Sequence, residues 1–197
     1  VVTRLDGAAI GRRRAAVMAM LAHAMPGGVY VYQGEELGLL DAEIPEEARQ
    51  DPIWFRTNGA DPGRDGGRVP LPWQAHAKNY GFSDAMSLWL PQPAGWESVA
   101  ADAQDGDADS HLNLYRALLK NRAAVNREVS EHEFVWITDS GDLVAFRRGE
   151  SLWVVANVGQ VPENVSSLIP SDGRVVARVG NFDGEVLGTD SALWIRK

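Results

Sequence analysis

The chain has 197 residues, 45% of them apolar and 23% charged, with a net charge of −8 and no cysteine. That balance is enough for a globular core, and its acidity excludes a phosphate-binding surface built on clustered Lys and Arg. Without cysteine there is no disulfide, no thiolate nucleophile and no Cys-based zinc site, and no apolar run reaches the roughly 20 residues that span a bilayer.

In chain order, Val1-Val2-Thr3 carries neither an initiator methionine nor a secretion signal and reads as the interior of a longer protein. From Ala8 to Met25 the residues are good helix formers. Val17, Met18, Leu21, Ala22 and Met25 fall on one face at helical spacing, with Arg12, Arg13 and Arg14 beginning the other. Pro26-Gly27-Gly28 stops this helix. Val29-Tyr30-Val31-Tyr32 then reads as a short strand buried on both faces, ended abruptly by Gln33-Gly34-Glu35-Glu36. Helix, tight turn, strand and polar residues at the strand's C-terminal end make one unit of an α/β barrel, in which those polar residues face the active site. From Asp41 to Pro93 there is little periodicity, and so long an irregular segment is expected to be functional. Ser110 caps a helix running to Val125. Beyond it, β-rich runs from Glu133 to Thr138, Leu143 to Arg148, Leu152 to Ala156, Arg174 to Val179 and Ala192 to Arg196, separated by turn signals, predict a small antiparallel β-sandwich.

The densest polar cluster is Gly63-Arg64-Asp65-Gly66-Gly67-Arg68-Val69-Pro70-Leu71-Pro72-Trp73. A planar guanidinium offers a fork of donors suited to adjacent sugar hydroxyls or to a carboxylate, and prolines with Trp73 stiffen the loop. A surface turn tied by an Arg–Asp pair explains the same composition, and residue types alone leave the two readings open. In Tyr32-Gln33-Gly34-Glu35-Glu36 the adjacent acids tend to point in different directions and so need not converge on one substrate. Their simpler role is to tie the strand end to its loops. His23, His76, His111 and His132 show no metal-ligand spacing, and phosphate-loop, nucleophile-elbow and dinucleotide patterns are absent. Asn164-Val165-Ser166 matches a glycosylation triplet, a match short enough to arise by chance. Seven tryptophans are read mainly as core, although Trp can also serve as a sugar platform.

Taken together, these segments resemble the α-amylase family of glycoside hydrolases, in particular α-glucosidases and oligo-1,6-glucosidases. Pro26 to Gly38 is similar to the family's eighth-strand segment, and Arg64-Asp65-Gly66-Gly67-Arg68-Val69-Pro70-Leu71-Pro72-Trp73 resembles the loop that follows it. Gly81-Phe82-Ser83 and Trp89-Leu90-Pro91 continue in the family's order, and Asp109 to Arg122 resembles its last barrel helix. Val69 stands where many relatives have Thr, and Gly67 replaces a larger residue.

The resemblance implies a fold of class α/β plus all-β: residues 1–127 as the C-terminal portion of a (β/α)₈ barrel and 128–197 as a C-terminal β-sandwich. It implies a retaining glycosidase whose three catalytic carboxylates follow strands four, five and seven, all upstream of Val1, so no residue of this chain is expected to be catalytic and the chain alone is expected to be inactive. The substrate-binding residues it implies are Arg64 on the non-reducing-end glucose, Asp65 and Arg68 bracing that loop, and Gln33 and Glu36 shaping the pocket floor. The partner is then a small oligosaccharide, with no cofactor, metal, nucleic acid or membrane, in a cytoplasmic, monomeric protein. Rival readings are a transglycosylase or a trehalose or sucrose isomerase of the same family, and a non-catalytic member serving as a partner subunit. A carbohydrate-binding module would need Trp136, Trp153 and Trp194 to form one exposed platform.

Overall fold

The computed structural model describes residues 8–139 and 141–197. The reading of Val1-Val2-Thr3-Arg4 as following a catalytic motif lies outside them. The described chain divides into two compact units, Val31–Asn113 in one, and Ala9–Tyr30 with Leu114–Lys197 in the other.

In the second unit, β1 (Phe134–Thr138), β2 (Leu143–Arg148), β3 (Leu152–Asn157), β7 (Ser191–Arg196) and β5 (Arg174–Val179) form a five-stranded antiparallel sheet in the order β1-β2-β3-β7-β5. A two-stranded pair, β4 (Glu163–Asn164) with β6 (Val186–Leu187), forms a second sheet, and its Leu187 shares a core with Val155 and Leu193 of the first. Because side chains alternate across a strand, β3 presents Val154 and Ala156 to one core and Trp153 and Val155 to another, and all six of its residues are buried. Cross-strand register aligns Phe146, Val154, Trp194 and Ala177 into one row. That row packs with Val17, Met20 and Ala24 of α1 (Ala8–Ala24) and with Tyr115, Leu118 and Val125 of α4 (His111–Glu128). Each fully buried side chain of this size contributes about 1.5–3 kcal/mol. Trp194 also donates its indole N–H to the carbonyl of Met20 at 3.1 Å.

The helix α1 forms where its alanines favour it, but it is turned differently from the sequence reading. Met20, His23 and Ala24 are buried, whereas Met18 is 51% exposed and Ala22 also faces out. In so alanine-rich a segment the larger apolar residues do not define a single face. Arg122 donates to the carbonyls of His23, Met25 and Gly27 around the C-terminal end of α1. Ser110 caps α4 as expected, its Oγ accepting from the backbone N–H of Asn113 at 3.2 Å. The helix runs past Val125 to Glu128.

The strand expected at Val29 to Tyr32 is not formed. Tyr30 is 95% exposed and Tyr32 is 53% exposed, and among the described residues no strand pairs with this stretch. A strand buried on both faces depends on a ladder supplied by its neighbours. Every pairing among the described strands is antiparallel.

In the Val31–Asn113 unit, regular structure is limited to α2 (Pro52–Arg56), α3 (Ala101–Asp105), the first residues of α4 and a few 3₁₀ turns. Its apolar cluster is small: Ile44, Val69 and Leu90, flanked by Ala42, Ala48 and Trp96. Polar ties do much of the joining. The buried Gln104 donates to the carbonyls of Leu37 and Val99 and accepts from the N–H of Leu112.

Candidate functional site

The polar residues after Tyr32 fold into a tight turn of their own. Leu37 and Leu39 donate backbone N–H bonds to Gly34, and Gly38 donates to Glu35. Glu36 accepts from the N–H of Gly34 at 2.9 Å, and Glu35 accepts from that of Tyr32 at 3.4 Å. Both acids are therefore engaged by the backbone of their own turn. Gln33 is exposed and Glu36 half-buried.

The arginine-rich loop is held by two carboxylates that exchange support. Asp65 is fully buried, and its Oδ2 accepts from the N–H groups of Gln50 at 2.7 Å and Asp51 at 2.9 Å. Asp51 in turn accepts from the backbone N–H of Arg64 and from Nη1 of Arg68, each at 3.0 Å. Its other oxygen caps α2 through the N–H of Ile53, also at 3.0 Å. The amides of Ile53 and Arg64, followed by the Arg68 charge, hold the Asp51 carboxyl below the ordinary carboxylate range. The pairing differs from a turn in which Asp65 ties to a flanking arginine, one of the two readings the sequence leaves open. Arg68 is bonded to Asp51, and Asp65 is bonded to backbone fourteen and fifteen residues away.

Two glycines make this packing possible. Gly63 has φ +68, and a Cβ there would lie 2.7 Å from the Asp51 side chain. A Cβ on Gly66 would lie 2.5 Å from the carbonyl of Ala42, whose own N–H donates to the Gly66 carbonyl. Gly67 is different: a Cβ there meets only ordinary contacts, with Asp41 and Tyr32. Val69 is 3% exposed and packs in the apolar cluster with Ile44 and Leu90. The loop passes beside the turn, Gly67 near Tyr32 and Leu71 near Gly34. Arg64 lies exposed on this braced backbone, while Arg68 is half-buried in its ion pair.

Asp51 was missed in the sequence. The signal for it was Asp51-Pro52, an N-cap followed by proline in the first turn. The adjoining segment is stiffened by Arg49, whose guanidinium lies 4.6 Å from the centre of the Trp54 ring and donates to the carbonyl of Pro62. An open groove of about 630 Å³ farther along, lined by residues including Asn79, Tyr80, Leu88, Gln92 and Glu97, offers little to a ligand. Its Tyr80 hydroxyl and Asn79 and Gln92 amides already donate within the protein. Trp153 and Trp194 are buried and Trp136 is 47% exposed, so these three form no shared platform. Trp73 and Trp89 are exposed, against the reading of the tryptophans mainly as core. Among the described residues no cluster of His, Asp and Glu is placed to hold a metal ion.

Residues 1–131 match the α-amylase catalytic domain. The chain is similar to a probable α-glucosidase of Rhizobium meliloti, 36% identical over 143 residues, covering 73% of this chain and 25% of that protein. It is also similar to a salivary α-glucosidase of Anopheles gambiae, 32% identical over 178 residues, covering 84% and 29% respectively. Among solved structures it superposes on the α-glucosyl transfer enzyme XgtA with a TM-score of 0.78 and 29% identity, over 100% of this chain and 38% of that one. The chain thus spans roughly a quarter of the length of the curated relatives it matches.

Proposed function

Because the chain belongs to the α-amylase family, we propose that it is part of a retaining α-glucosidase releasing terminal α-linked glucose from short saccharides. In this reading residues 1–127 are the closing portion of a (β/α)₈ barrel, and 128–197 are a C-terminal β-sandwich. The catalytic carboxylates come from the rest of the protein. Arg64 donates to hydroxyls of the terminal glucose, Asp65 and Arg68 fix its loop, and Gln33 and Glu36 line the pocket floor. A cytoplasmic, monomeric state belongs to the same proposal. No described helix is long and apolar enough to cross a membrane.

The observation that carries the reading is an arginine left exposed on a doubly braced loop. A donor fork on a rigid backbone loses little freedom when it closes on a ligand. A charged hydrogen bond of this kind contributes about 1.5–3 kcal/mol, which is about 10- to 100-fold in affinity. In the full-length protein, Arg64→Ala is expected to lower kcat/KM on maltose by at least about tenfold while the circular dichroism spectrum is retained. An unchanged value removes Arg64 from the pocket. The similarity to an α-glucosyl transfer enzyme favours a second reading, transfer to a sugar acceptor in place of water. The same maltose reactions separate the two: glucose alone marks hydrolysis, and longer glucosylated products mark transfer.

A further inference from the structure

Within that reading, we propose that Asp51 is the positioning residue that aims Arg64 at the sugar. Its carboxylate is the point where three parts of the loop meet. One oxygen caps α2, and the other takes both the Arg64 backbone N–H and the Arg68 guanidinium. The Arg64 N–H is held at 3.0 Å, so Asp51 fixes the backbone from which that side chain departs. The support is reciprocal, because the Asp51 N–H is bonded to the buried carboxylate of Asp65. Asp51 is itself 8% exposed, and the absence of a Cβ at Gly63 lets it come this close. Residues 50–68 are closed into a ring of hydrogen bonds whose exposed product is the Arg64 side chain. A displacement of about 1 Å in a binding group can cost about 100-fold in rate, so a residue that never touches substrate can still set how firmly the sugar is held.

The inference rests on Arg64 binding sugar, and a double-mutant cycle in the full-length protein tests both claims separately. Asp51→Asn keeps the shape and a single acceptor oxygen, and either orientation of the amide removes the charge shared by Arg64 and Arg68. It is expected to raise KM for maltose and the inhibition constant of glucose together, by about tenfold, with kcat changed less. In the Arg64→Ala background the same change is expected to have almost no further effect, since Asp51 acts through Arg64. Full multiplication of the two losses, or an unchanged KM in Asp51→Asn, overturns the positioning role while leaving Arg64 in the pocket. A neutral Arg64→Ala overturns the pocket reading and this inference with it. Should Asp51→Asn not fold, Gly63→Ala displaces the same carboxylate from the other side and is held to the same two outcomes.

Discussion

Asp51 gathers two backbone amides and a guanidinium on one carboxylate, and that gives the loop a defined response to acid. The bonds from Ile53 and Arg64, with the Arg68 charge behind them, favour the ionised form and lower its pKa, against the opposing pull of burial. A carboxyl with a lower pKa in the folded state than in the unfolded chain stabilises the fold above its unfolded value. That contribution is lost as pH falls through the folded value. The clasp should therefore hold through the ordinary aspartate range and open only at more acidic pH. In ¹⁵N-labelled protein, the amide resonances of Ile53 and Arg64 are expected to shift together with a midpoint below that of an unperturbed aspartate, and Asp51→Asn should abolish the shift. A midpoint at or above the ordinary value would contradict the bonding. At this scale the sequence disclosed the parts but not their pairing. Arg64, Asp65 and Arg68 stood out by composition, whereas the partner of each lay thirteen or more residues away across an aperiodic segment.

Elements were legible wherever local pattern decides them. The bounds of β2 and β5 coincide with the alternating runs read from sequence, and Ser110 marked the start of α4. Legibility failed where an element depends on something outside itself. Val29 to Tyr32 carries strand-forming residues and forms no strand, because a ladder requires a second strand. The two-residue β4 and β6 are too short for any periodicity to register. The inner face of α1 is chosen by Trp194 and by Arg122, neither of which is near it in sequence. Arg122 is the more consequential, since it is 9% exposed and serves three carbonyls at the end of α1. Burial lowers its pKa and the Glu131 charge opposes that, while the three carbonyls take up its donors. Arg122→Met preserves much of the volume but leaves those acceptors unpaired, and is expected to cost about 2–4 kcal/mol in denaturant unfolding. A loss within about 0.5 kcal/mol would show that water replaces the guanidinium at little cost.

The two compact units are held by different forces, and they should fail in a definite order. Ala9–Tyr30 with Leu114–Lys197 has apolar cores on both faces of a five-stranded sheet, with β3 buried throughout. Val31–Asn113 has a three-residue apolar cluster and relies on hydrogen bonds accepted by the Asp51 and Asp65 carboxylates and donated by Gln104, while Phe55, Trp73, Met86 and Trp89 remain exposed. Segments with few buried apolar contacts open at lower free energy and are cut first. Limited proteolysis of the 197-residue chain should therefore begin between residues 31 and 113. The helix α1 offers a sharper check. It is separated in sequence from the sheet by the whole of the weaker unit, yet it is joined to the sheet by Met20, Ala24, the Trp194 indole and the ion pair between Arg14 and Asp190. After cleavage, a peptide containing residues 9–30 should stay bound to one containing 114–197 through gel filtration. Separation of the two, or first cuts within the sheet, would mean that the apolar packing around Trp194 is not what holds the second unit together.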